Sequence, residues 1–434
     1  GKSDASNTDN QTDDTAKEDQ KIQLSLQLLS DESETTYDQS STLSLARANN
    51  LSEKITVKDN DKIIEVNGGD GLILLSNVNP EEYQVYTIEL ITTAGWDLTK
   101  TVTVGETSEN GGTGTGTTTS YAFLGLGSET YPYQGIFQLD ENTAAKQYSI
   151  STSRALFNTL STKATLSSTI PFGFSENAVA TNKPLLAETI VAEEDKKTLE
   201  ADIALRNLNG DKISEPTIGG LIGTLGANAS AKITFTNQFS NELTVSAEKH
   251  TGLFCNTMKE GSSLTAVLNK SDSTGTGSVK VAAEASDADA GGFVGHMEAN
   301  SNLTVAGCSV NQVSSNLGNA GGLVGSSTDG TLCVASTTEE STTPFTFADT
   351  LTLQAANGKA AGGLIGEYSV GNMQGNTIDY DLSHYTFNNF TISGGNDVGG
   401  LFGLLNNTST TASQISINLG NTANASDPVN TAVT

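Results

Sequence analysis

Apolar and polar residues alternate along much of the chain in short runs that are separated by Gly, Asn, Ser and Thr. Alternation with a period of two predicts strands that bury one face. Early runs of this kind occupy 22–29, 42–46, 54–59 and 62–66, and the segment 70–78 is almost continuously apolar, as in a fully buried strand. The pattern therefore predicts an all-β protein. The best helix candidate is 183–200 (KPLLAETIVAEEDKKTLE), with an insertion loop between strands as the alternative.

A five-residue phrase, Gly-Gly-apolar-apolar-Gly, recurs five times in the second half of the chain. Its glycines are Gly219, Gly220, Gly223, Gly291, Gly292, Gly295, Gly321, Gly322, Gly325, Gly362, Gly363, Gly366, Gly399, Gly400 and Gly403. A degenerate copy, TGLFC, occupies 251–255, so the second position falls at 220, 252, 292, 322, 363 and 400, in steps of 32, 40, 30, 41 and 37 residues. Such a period indicates a repeat architecture. The segment 153–168 echoes 251–266, and 170–174 is a candidate for the missing corner between them.

Each repeat contains two further strand-like runs after the glycine phrase, for example 264–268 and 279–283, with a polar loop directly after the phrase. With the phrase itself, this gives about three strands per coil and predicts a parallel β-helix. The paired glycines would tolerate positive φ and let stacked backbones come close. A single unit cannot bury its apolar side alone, so the array is expected to fold as one body.

Four regions are expected along the chain. Residues 1–20 lack large apolar side chains and should form a disordered acidic tail, while 21–105 should form the first coils and an N-terminal cap. A Gly/Thr-rich loop follows at 106–120, and the β-helix repeats occupy 121–434 and are expected to continue beyond Thr434. Trp96 is interpreted as a core or cap residue, with a ligand platform as the alternative.

The charge narrows the classes of partner. Fifty acidic residues against 22 basic ones give a formal charge of −28, which repels phosphate backbones and anionic lipid surfaces. We therefore expect no nucleic-acid partner. No apolar run reaches the roughly 18 residues that cross a bilayer, so no direct membrane insertion is expected. The Thr-, Ser- and Asn-rich acidic composition favours an extracellular, secreted or cell-surface location.

The phrases GGLIG, GGFVG and GGLVG, spaced by 30 to 40 residues over about 150–420, resemble the GLUG-type repeats of large bacterial surface proteins. That family includes adhesins and non-catalytic parts of some secreted immunoglobulin peptidases. The resemblance implies a β-helix and a role in cell adhesion, with a host or bacterial surface glycan or protein as the partner. It carries no catalytic residues.

Cysteine and histidine offer little chemistry at the level of sequence. Cys255, Cys308 and Cys333 have no metal-like spacing and are interpreted as buried thiols. His250 precedes the degenerate phrase and His296 follows the next one, so stacking should place them one coil apart at the same corner. Solvated corner residues are the simpler interpretation, and a shared function is the alternative. Nothing in the sequence places a nucleophile beside a histidine.

Two acidic clusters are candidate binding sites. The first contains Asp379, Tyr380, Asp381, His384 and Tyr385 within the segment IDYDLSHY. Alternate acids on a strand would share one face, and aromatic rings beside acids bind sugars, so this is the candidate ligand-binding site. Solvated loops are the alternative.

The second cluster, Glu284, Asp287 and Asp289, offers hard oxygen ligands, and Ca²⁺ is the only cofactor that the sequence suggests. Its spacing matches no EF-hand pattern, and a solvated acidic loop is again the alternative. No catalytic residue and no metal site is assigned. Two hypotheses follow: a non-enzymatic adhesion segment or display stalk, and a carbohydrate-binding or carbohydrate-active β-helix of the hydrolase or lyase kind.

Overall fold

The structure of the protein is a computed structural model, which describes the chain in part. The described residues are 26–30, 33–34, 43–46, 54–59, 62–67, 72–75, 87–91, 96–97, 102–105, 118–123, 125–127, 129, 132–139, 149–167, 169–174, 182–207, 216–269, 275, 277–285, 288–334, 345–348, 350–371, 377–381, 390–407 and 414–418. All regular structure in these ranges is β. The predicted tail at 1–20 lies outside them, and so does most of the predicted loop at 106–120, whose last three residues belong to the strand Thr118–Phe123.

Four stacked parallel sheets form a β-solenoid, which confirms the predicted parallel β-helix. Sheet I contains Trp96–Asp97, Ile150–Ser151, Ile170–Phe174, Thr198–Asn207, Ser230–Gln238, Ser263–Asn269, Asn302–Gly307 and Thr331–Val334. Sheet II contains Phe157–Ser161, Ala187–Val191, Ile222–Leu225, Cys255–Met258, Val294–Met297, Val324–Thr328, Ile365–Val370 and Phe402–Asn407. Sheet III contains Thr217–Ile218, Glu242–Ala247, Ser278–Ala283, Gln312–Ser315, Leu351–Gln354 and Phe390–Ser393. Sheet IV contains the short strands Ala290–Gly291, Ala320–Gly321, Ala360–Gly362 and Asp397–Gly399.

A coil such as 294–321 therefore has one strand in each of sheets II, I and III, as the three-strand prediction requires, plus a two-residue strand of sheet IV at the glycines. The predicted polar loop directly after the phrase is wrong. The phrase runs straight into a strand of sheet II, for example Val294–Met297, and a tight turn then leads to sheet I. The strands Thr377–Asp381 and Gln414–Asn418 pair with each other in parallel.

Antiparallel pairing dominates the N-terminal region. A four-stranded sheet contains Ser33–Glu34, Leu26–Ser30, Thr118–Phe123 and Val102–Gly105, and a separate hairpin-like pair contains Leu43–Ala46 and Leu72–Leu75. A five-stranded sheet contains Thr165–Ser167, Ile136–Leu139, Thr87–Ile91, Lys54–Asp59 and Lys62–Asn67. Lys54–Asp59 pairs antiparallel with both Lys62–Asn67 and Thr87–Ile91. Pairing becomes parallel where Thr87–Ile91 meets Ile136–Leu139. None of the residues described forms a helix of the length and apolarity that a bilayer crossing needs.

The predicted helix at 183–200 is wrong. This segment contains the strand Ala187–Val191 and the start of Thr198–Asn207, and its apolar residues Leu185, Leu186 and Ile190 are fully or almost fully buried. Helix propensities differ by only about 0.7 kcal/mol per residue, so burial of the apolar column overrides them. The same segment, rather than the candidate 170–174, supplies the missing corner, since Ala187 pairs with Ile222 of the next coil. Residues 170–174 instead form a strand of sheet I.

The degenerate phrase is shifted by one residue from its predicted register. Thr251 pairs with Ala290 and Cys255 pairs with Val294, so Gly252 matches the first glycine of the next phrase. Leu253 consequently stands where the other phrases have their second glycine. The repeat in this coil is therefore GLFCN rather than TGLFC.

The apolar pair of each phrase stacks in columns inside the coil. The first member of each pair is fully buried in five successive coils, as Leu221, Phe254, Phe293, Leu323 and Leu364. Phe293 contacts Phe254 at 4.7 Å between ring centroids. The core is thus a continuous column, and each coil buries its apolar pair between its two neighbours.

Close approach of backbones explains the glycines better than positive φ. Among the phrase glycines within the described ranges, only Gly220 has a positive φ, of 85°. A Cβ on Gly292 would lie 2.1 Å from the carbonyl oxygen of Gly322, and a Cβ on Gly322 would lie 2.0 Å from that of Gly363. A side chain does not fit at Gly292 or Gly322, because the backbones of the stacked coils are in contact at these two positions.

Candidate functional site

Two columns of polar residues flank the glycine corner. The front column lies two residues before the first glycine of each phrase and contains His250, Asp289 and Asn319. The rear column follows the last glycine on sheet II and contains His296, Ser326 and Glu367. Both columns are consequences of the stacked register, because each member lies one coil from the next.

The last glycine of each phrase lets the two columns meet. A Cβ on Gly295 would lie 2.5 Å from the Thr251 amide nitrogen, and a Cβ on Gly325 would lie 2.9 Å from Cβ of Asp289. The front residue of one coil therefore packs against the rear residue of the next. This offset pairs His250 with His296.

The two imidazoles stack on each other. Their ring centroids are 4.9 Å apart, and the ring planes differ by 25°. The backbone N–H of Asp289 donates to Nδ1 of His250 at 3.1 Å, and Oδ2 of Asp289 lies 3.6 Å from the same nitrogen. This confirms the prediction that the two histidines lie one coil apart at one corner. Both side chains are half-buried rather than solvated.

Asp289 is the centre of the cluster. Its side chain is largely buried, and its Oδ2 accepts a 2.5 Å hydrogen bond from Oγ of Ser326, which lies 2.7 Å from Nδ1 of His296. Its Oδ1 accepts the backbone N–H of Asn319 at 2.8 Å. Asn319 in turn donates from Nδ2 to Oε2 of Glu367 at 2.9 Å. The carboxylate is therefore held by hydrogen bonds to both oxygens.

Burial keeps both imidazoles uncharged near neutral pH. Burial lowers the pKa of His250, and Lys249 adds to this shift while the Asp289 carboxylate opposes it. Burial also lowers the pKa of His296, the neighbouring His250 adds to the shift, and Asp289 opposes it. A neutral imidazole has a free lone pair, which is the form that accepts hydrogen bonds and binds metal ions.

The order of the groups argues against nucleophilic catalysis. In a Ser-His-Asp triad the histidine lies between the hydroxyl and the carboxylate, and takes the hydroxyl proton. Here the Ser326 hydroxyl lies between His296 and Asp289 and donates its proton to the carboxylate. The cluster instead gathers one donor atom from each of His250, Asp289 and His296 within 4.8 Å of one another.

The structure describes the other candidate residues only in part. Asp379, Tyr380 and Asp381 lie in the strand Thr377–Asp381, whose side chains are outside the described part, as are His384 and Tyr385 altogether. This site therefore stays a prediction.

The residues proposed for Ca²⁺ do not share one environment within the described part. Glu284 is exposed, Asp289 turns into the histidine pair, and Asp287 lies outside the described residues.

Trp96 begins a strand that pairs with Ile150, and its side chain is not described.

The cysteine interpretation is confirmed where it can be checked. Cys255 and Cys308 are buried thiols, while the side chain of Cys333 is outside the described part. Burial raises the pKa of Cys255 to about 12, so its thiol stays protonated.

Sequence reasoning did not find the role of Asp289 or Ser326. The available signal was positional: the residue after the last glycine and the residue two before the first glycine are polar in successive coils.

Comparison of the chain with protein-family models, curated proteins and solved structures finds no match.

Proposed function

We propose that this chain is a non-catalytic segment of an extracellular bacterial surface or secreted protein, which serves in adhesion or as a display stalk. The observation that carries the proposal is the unbroken parallel register of sheet II, in which eight strands follow one another coil by coil. Seven steps of about 4.8 Å extend this ladder over roughly 34 Å. Such a ladder separates its ends by a fixed distance, as a stalk requires.

The outward positions of the solenoid suit this role. Along sheet I they include the register partners Thr265 and Thr304, which are both partly exposed. Rows of short polar side chains remain hydrated and present many hydroxyl groups to a partner. The acidic net charge favours solubility for the same reason.

The proposal is tested by immobilising the purified chain and measuring its binding to arrays of glycans and matrix proteins, beside an assay for release of oligosaccharides from common polysaccharides. The expected result is saturable binding of one class of partner with the polysaccharides left intact. Release of soluble oligosaccharides that is lost in Asp379→Asn or Asp381→Asn would overturn it.

One observation favours a second candidate, a carbohydrate-binding β-helix. A groove of about 320 Å³ lies on the outer face of sheet I, and its lining includes Glu200, Asp202, Lys232 and Thr234. Glu200 and Asp202 alternate along one strand and are both exposed, so their carboxylates project from the same face. Carboxylates and a lysine can hydrogen-bond sugar hydroxyls. Retardation of the chain in polysaccharide-containing gels, lost in the double variant Glu200→Gln, Asp202→Asn, would support this candidate.

A further inference from the structure

We propose that His250, Asp289 and His296 form a binding site for a divalent transition-metal ion of the zinc class, which joins two successive coils. His250 belongs to the turn before one phrase, and Asp289 and His296 flank the next phrase. The site exists only in the stacked solenoid, because the chain segments that carry it are brought together by the ladder.

The donor set selects the type of ion. Two imidazole nitrogens and one carboxylate oxygen suit Zn²⁺ and its neighbours, whereas Ca²⁺ and Mg²⁺ prefer sites made of oxygen alone. Three protein ligands leave a fourth position for water, as in catalytic zinc sites. A mixed nitrogen–oxygen site therefore takes the place of the oxygen-ligand Ca²⁺ site expected for this loop.

The distances are close to those of a bound ion. Zinc bonds of about 2.0–2.2 Å in a tetrahedral site place the ligand atoms roughly 3.3–3.5 Å apart. One ligand atom from each of the three residues lies within 4.8 Å of the others, and Nδ1 of His250 is 3.6 Å from Oδ2 of Asp289. That nitrogen now accepts the backbone N–H of Asp289, so an ion bound at Nδ1 would replace this hydrogen bond. Closing the set requires the ligand atoms to approach one another by about 1.4 Å at most, which lies within the reach of a side-chain rotation.

The surroundings hold the ligands in place. The amide of Asn319 fixes Oδ1 of Asp289, which leaves Oδ2 for the ion. The Ser326 hydroxyl now bridges Oδ2 of Asp289 and Nδ1 of His296 through hydrogen bonds. Because Oγ of Ser326 donates its proton to Oδ2, Nδ1 of His296 carries the proton of the second hydrogen bond. A bound ion would take the place of this bridge, with that proton moving to Nε2 of the same neutral ring. Such neighbouring contacts orient the ligands of metal sites.

Titration calorimetry with Zn²⁺ tests the site on the full chain, stripped of metal by a chelator and without a histidine tag. The expected result is one ion per chain, with affinity reduced at least about 100-fold in His250→Ala and in His296→Ala, since even neighbouring contacts contribute 10- to 100-fold. Asp289→Asn should also lose affinity. Zn²⁺ should raise the thermal midpoint of the native chain and of no ligand variant.

Two matched controls separate the site from general effects. His384→Ala removes the chain's remaining histidine and should leave Zn²⁺ affinity unchanged. Ser326→Ala breaks the same hydrogen-bond network without removing a ligand, and should cost about 10-fold, less than either histidine variant. Absence of Zn²⁺ binding by the native chain, or equal affinity in His250→Ala and the native chain, would overturn the proposal.

A second measurement needs no substitution. The chain has three histidines, so selective ¹³C labelling gives three imidazole signals. One equivalent of Zn²⁺ should shift two of them and leave the third in place. A shift of the third alone, or of none, would refute the site even where the alanine variants fail to fold.

Discussion

Gly322→Ala should destabilise the solenoid strongly although it adds only one methyl group. A Cβ at this position would lie 2.0 Å from the carbonyl oxygen of Gly363 in the next coil. Real contacts of this kind need about 3 Å or more, so the two backbones must separate by roughly 1 Å. The corner cannot absorb this shift by rotating a side chain, because both partners are main chain.

The cost follows from the hydrogen bonds that the separation breaks. The N–H of Gly322 donates to the carbonyl of Gly362 at 3.1 Å, and the N–H of Leu323 donates to that of Leu364 at 2.9 Å. Each bond lost with its groups left buried costs about 1–3 kcal/mol. Alanine returns about 0.4–1 kcal/mol by restricting the unfolded chain. The expected net loss in the free energy of unfolding is therefore about 1–6 kcal/mol.

Urea denaturation followed by circular dichroism measures this loss, with Gly371→Ala as the matched control. The nearest atom to a Cβ on Gly371 would be Oδ2 of Asp329, at 3.1 Å, so the contact requires a shift of only a few tenths of an ångström. The control should remain within about 1 kcal/mol of the native chain. Equal stabilities for Gly322→Ala and Gly371→Ala would refute the argument that backbone contact fixes the corner.

Two further predictions concern the core. Phe293→Ala should lower the free energy of unfolding by about 3–5 kcal/mol, because Phe293 is fully buried and its ring lies 4.7 Å from that of Phe254; a loss below about 1 kcal/mol in urea denaturation would contradict the stacked column. Cys255 should resist iodoacetamide at pH 8 in the native chain, because burial raises its pKa to about 12, and should react after unfolding in urea. Mass spectrometry of the Cys255 peptide measures both states, and rapid native alkylation would contradict the burial.

The fold was predictable from the sequence because its main determinant is a short local phrase. Glycines that recur at a fairly regular period, such as Gly291 and Gly321, mark the corners wherever the phrase begins with two adjacent glycines. The prediction failed where the phrase is absent: Leu185, Leu186 and Ala187 fill a corner without any glycine pair, and the Glu- and Lys-rich segment around them favours a helix locally. Stacking on the next coil decides that segment, and stacking is not a local property.

The candidate site was predictable only in part. The pairing of His250 with His296 follows from counting coils, and it was predicted. The role of Asp289 depends on a register shifted by one residue at Gly252, because the degenerate phrase begins with that glycine. The contribution of Ser326 depends on the offset between the two columns, which is set by how closely the glycine backbones approach. Neither the register shift at Gly252 nor the offset between the two columns is encoded in a motif.

Continuity of the stacked coils is the central claim, and a distance between spin labels tests it most directly. Thr217 and Thr391 belong to one column of sheet III, in which successive partners are separated by one coil. Cysteines at these two positions, in a chain whose native cysteines are replaced by alanine, would carry the labels. Five steps of about 4.8 Å place the two labelled backbones about 24 Å apart. The distance distribution between the labels should therefore have one maximum near this value, with a width set by the label arms. A distribution centred beyond about 40 Å, or one without a defined maximum, would contradict the continuous solenoid.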